Sequence, residues 1–85
     1  MLNYAALHAI PRIVCEAMSN MQLFSEAPSW KIIDNRGRIT IILNWDQEDL
    51  RFQSLHRRVT RNFIHYFFKQ KQCYLVNVKM YLLRF

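Results

Sequence analysis

The chain has 85 residues, one domain's worth, and is 52% hydrophobic and 14% aromatic. That apolar content excludes disorder, and a single Gly with two Pro excludes collagen-like or flexible-linker chains. The formal net charge of +6 is unevenly placed: residues 1–49 carry four basic and six acidic side chains, residues 50–85 eight basic and none acidic.

In chain order, Ile10, Ile13, Val14, Ala17, Met18 and Met21 recur at helical spacing and predict an amphipathic helix. Pro11 would occupy its first turn, where a missing N–H removes no bond. Residues 1–9 are then a flexible or short helical arm on a single domain, 1–85. Phe24 to Ser29, with Pro28, reads as the connection out.

Trp30 to Ile33 and Arg38 to Trp45 are β-branched runs separated by Asp34-Asn35-Arg36-Gly37, a hairpin signal. A four-residue loop, 34–37, pairs Ile33 with Arg38. Trp30, Ile32, Ile39, Ile41 and Leu43 then share one face, while Lys31, Ile33, Arg38, Thr40 and Ile42 share the other.

A second helix is predicted from Asp46, a good N-cap with Glu48 and Asp49 behind it, to about Lys69. Trp45 and Leu50 occupy the positions of a hydrophobic staple. Phe52, Leu55, Val59, Phe63, Tyr66 and Phe67 fall within about 120° of one another on the helical wheel. The segment Cys73 to Phe85 alternates as a strand, with Tyr74, Val76, Val78, Met80 and Leu82 on one face. The fold class is α+β in the order α-β-β-α-β. Its three-stranded sheet, a hairpin plus the C-terminal strand, carries two helices on one face, and the last strand runs parallel to a hairpin strand.

Two surfaces stand out. Arg51, Arg58, Arg61, His65 and Lys69 cluster beside the apolar stripe of the second helix, with Arg57 off that face and Lys71 beyond it. No acid after Asp49 can neutralise them, so Arg51, Arg57, Arg58, Arg61, Lys69 and Lys71 are candidate contacts for an anionic partner. The bland alternative is a solvated face. On the sheet, Ile33, Ile42, Leu75, Tyr81, Leu83 and Phe85 fall outside the helix-covered face and are candidate protein-interface residues.

Catalysis and metal binding find little support. His56 and His65 point about 180° apart on one helix and cannot share a metal. No nucleophile–base pair or phosphate loop is visible, so no enzyme activity, cofactor or small-molecule ligand is expected. Trp30, Trp45 and the methionines Met18 and Met21 read as core residues. Only Cys15 and Cys73 are present, no signal-peptide pattern opens the chain, and no apolar run approaches a membrane span. An intracellular protein, cytoplasmic or nuclear, is the expectation. The leading functional expectation is a non-enzymatic protein-interaction module, homodimerising or docking a partner through the apolar sheet face and C-terminal strand. The alternative is a small nucleic-acid-binding domain using the second helix.

Overall fold

In the computed structural model, which describes residues 4–23, 29–45 and 51–82, the first element is helix α1, Tyr4–Asn20. Its stripe extends backwards from the expected one, with Ala6 and Ala9 buried alongside Ile10, Ile13, Val14, Ala17 and Met18. Residues 4–9 are therefore the first turns of the same helix rather than a separate arm, and Pro11 lies inside it. The proline removes the bond to the Leu7 carbonyl. Leu7 is exposed and Pro11 half-buried, so water can replace that bond on the rim of the helix.

Both helices end in the same way. Beyond α1, Gln22 takes φ 56°, its N–H donates to Ser19 O, and Leu23 N–H donates to Met18 O. Beyond the second helix, Lys71 takes φ 55°, its N–H donates to Phe68 O, and Gln72 N–H donates to Phe67 O. These are Schellman closures built without glycine, which holds Gln22 and Lys71 in the left-handed region at about 1 kcal/mol each.

Strands β1, Ser29–Asn35, and β2, Arg38–Trp45, pair antiparallel with Asn35 opposite Arg38 and Ile33 opposite Thr40. The loop is two residues, Arg36-Gly37, rather than four. Both have positive φ, 50° and 78°, which marks the type I′ turn whose twist suits a hairpin. The expected pairing of Ile33 with Arg38 is thus displaced by two positions. An even displacement preserves the faces. Ile39, Ile41 and Leu43 are fully buried, whereas Ile33 is 44% exposed on the opposite side.

Helix α2, Phe52–Lys69, ends where the sequence predicts but starts later, with Arg51 in the N-cap position and no side-chain capping bond. The expected cap Asp46, the acids Glu48 and Asp49, and Leu50 of the staple lie outside the described residues. Strand β3, Leu75–Leu82, runs parallel to β2, so β2 is central and β1 and β3 are edges. The α+β order and the mixed three-stranded sheet agree with the sequence prediction.

One apolar cluster joins the two helices to a single sheet face. It contains Leu55, Val59, Phe63 and Phe67 of α2, the α1 stripe, and Ile39, Ile41, Leu43, Trp45 and Val78 of the sheet. Trp45 is buried as expected, but Trp30 is 42% exposed. Trp30 has the inward parity, yet β1 is an edge strand and six of its seven residues are exposed.

Candidate functional site

The helices cover one side of the sheet; the other side is the candidate site. Strand register places its side chains on a grid. One row across the three strands is Lys31, Ile42 and Lys79, and the next is Ile33, Thr40 and Asn77. Toward the other end of the strands, Asn44 of β2 sits beside Tyr81 of β3. Diagonal neighbours on a sheet lie within reach of long side chains. Ile33, Ile42 and Tyr81 therefore form one apolar line crossing all three strands obliquely.

Ile33 and Tyr81 are 44% and 50% exposed, and Ile42 between them is half-buried. Lys31 and Lys79 flank Ile42 from the two edges, and Arg38 stands nearer the hairpin turn opposite Leu75, which is 67% exposed. Among the described residues of this face there is no carboxylate. Four of the six expected interface residues, Ile33, Ile42, Leu75 and Tyr81, thus share this face. Leu83 and Phe85 lie outside the described residues. The face is less uniformly apolar than the alternation alone implied: Leu75 is set apart beside Arg38, and lysine and asparagine fill much of the grid.

The β3 edge has its own organisation. Leu75 N–H donates to Gly37 O at 2.9 Å, which turns the backbone groups of odd-numbered β3 residues toward β2. Val76, Val78 and Met80 consequently direct theirs away from it. His56 of α2 reaches this edge, with Nε2 2.6 Å from Val78 O. A carbonyl only accepts, so Nε2 is the donor. One outward backbone acceptor of the edge strand is thereby occupied by the covering helix, which restricts pairing of β3 with another strand.

The expected basic residues of α2 do not act as a uniform row. Arg51 donates from Nη1 to Met21 O at 2.6 Å, tying the start of α2 to the end of α1. Arg57 donates to Ser54 Oγ at 3.4 Å, and Arg58 is half-buried. Arg61, Lys69 and Lys71 are exposed. Ile64 and Phe68, 51% and 78% exposed, interleave with Arg57 and Arg61 on the outer side of the helix.

Cys15 and Cys73 are both free and exposed. The described residues include no group of three or more His, Cys, Asp or Glu able to hold a metal ion. None of their helices is long and apolar enough to cross a membrane. No family model, curated protein or solved structure matches the chain.

Proposed function

We propose that the chain is a non-enzymatic protein-interaction module whose open sheet face receives a partner bearing both apolar and acidic side chains. The observation that carries this reading is the oblique line Ile33–Ile42–Tyr81 with Lys31 and Lys79 on either side of its centre. An apolar line supplies contact area and the cations select the charge of what lies on it. A second copy of this chain fits less well, because face-to-face pairing sets Lys31, Arg38 and Lys79 against their own counterparts. The partner is therefore a different, acidic protein surface.

Sedimentation of the full chain separates these occupants. A monomer is expected at micromolar concentration, at low and at high salt. A dimer that dissociates on Ile42→Arg reassigns the face to self-association.

The nucleic-acid reading keeps one supporting observation: the described α2 carries no carboxylate, and Arg61 within it, Lys69 at its end and Lys71 beyond it are exposed. Binding of duplex or single-stranded nucleic acid with a steep salt slope, about one log–log unit per phosphate neutralised, would favour it. The slope would fall in Arg61→Gln.

A further inference from the structure

We propose that the groove between α1 and α2 binds a small phosphate monoester that also carries hydroxyl groups. The groove is independent of the open sheet face and contains about 500 Å³ of space, within the range of small-molecule sites. It is built from both helices. Arg12 and Glu16 enter from α1, and Asn62, His65, Tyr66 and Lys69 from α2.

The arrangement follows from the helix geometry. Arg12 and Glu16 are one turn apart, as are His65 and Lys69, so each pair lines its own wall. Packing of the two stripes, with Arg51 tying the start of α2 to Met21 O, sets the walls facing one another. The groove has the cations Arg12 and Lys69 and the imidazole of His65 against the single carboxylate of Glu16. Arg12, Glu16, His65 and Lys69 are all exposed. Their charge is therefore available to a ligand.

Each group has a distinct use. A guanidinium and an ammonium from opposite walls suit the oxygens of a phosphate, since charge-assisted hydrogen bonds are the strong ones. Glu16 disfavours a ligand that is charge alone and instead accepts from hydroxyl groups, while the Asn62 amide both donates and accepts. Phosphate at one end and hydroxyls at the other is the pattern these walls complement.

The test titrates the full-length chain with glycerol 3-phosphate, inorganic phosphate and glycerol, following backbone amide shifts. Glycerol 3-phosphate should give saturable shifts at Asn62, His65 and Lys69. Inorganic phosphate should bind more weakly, and glycerol should give no saturable shift. Arg12→Gln and Lys69→Gln should each weaken binding by about tenfold or more, the loss of one charge-assisted bond. Arg57→Gln, also at an exposed position but outside the groove, should leave affinity unchanged. These residues are exposed, and the amide spectrum of each variant verifies its fold directly. Absence of saturation in the tens-of-millimolar range would overturn the proposal. So would equal weakening by Arg57→Gln, or inorganic phosphate binding as tightly as the ester.

Discussion

Phe63 and Phe68 are the same residue type, five positions apart on one helix, and the fold assigns them opposite environments. Phe63 is fully buried and Phe68 is 78% exposed. A buried phenylalanine removes about 150–250 Å² from water, worth roughly 4–6 kcal/mol at ~25 cal/mol per Å². Measured truncations of such rings cost about 3–5 kcal/mol once the cavity and partial relaxation are included. Phe68 keeps only about a fifth of its area from water, so the same arithmetic leaves at most about 1 kcal/mol. Part of that is offset by the better helix propensity of alanine.

Phe63→Ala should therefore cost about 3–4 kcal/mol more than Phe68→Ala. A domain of this length has roughly 4–13 kcal/mol in total, so the first variant stands close to the limit of stability. Urea unfolding followed by circular dichroism gives both values from midpoints at a common slope. If the two substitutions differ by less than about 1 kcal/mol, the α2 stripe is not the core and the layer arrangement is wrong.

Three further substitutions probe the scaffold. Among the described residues Thr60 Oγ1 is buried without a hydrogen-bond partner, so Thr60→Val should raise stability by about 1 kcal/mol in the same assay. A loss of stability would mean that the hydroxyl is satisfied in solution. Gln22→Gly should relieve the positive φ that ends α1 and stabilise by about 0.5–1 kcal/mol, net of the added freedom of the unfolded chain. A destabilisation would contradict the closure described for that helix. His56→Ala should cost about 1–2 kcal/mol by leaving Val78 O without its bond, and amide exchange should quicken along β3.

Much of this fold is legible in the residues because periodicity reports on one element at a time. The α2 stripe, its end at Lys69 and the two faces of the hairpin follow from spacing alone. The hairpin faces are insensitive to a two-residue change of register, since side chains alternate with a period of two. The two-residue turn is not legible in the sequence because Arg36, a residue type that seldom takes a positive φ, takes one here. Pro11 suits a helix start by its local chemistry, and only the fold shows that its lost bond falls on a partly solvated rim inside α1. Features requiring the relative placement of elements were not legible. The Ile33–Ile42–Tyr81 line exists only because β2 is central, and strand order is a tertiary outcome. The same holds for Arg12, which in sequence merely interrupts an apolar stretch but in the fold faces Lys69 across a groove. Trp30 shows the converse: its inward parity follows from alternation, and its exposure depends on its lying on an edge strand.

The open sheet face as a docking surface for an acidic partner is tested most directly by amide shift mapping of the full chain. The probe is a synthetic extended peptide that alternates glutamate with valine. Saturable shifts should appear at Lys31, Ile33, Ile42, Lys79 and Tyr81, weaken with added salt, and be lost in the double variant Lys31→Glu, Lys79→Glu. Shifts confined to the outer side of α2 at Arg57 and Arg61, or binding undiminished by the double charge reversal, would contradict the account.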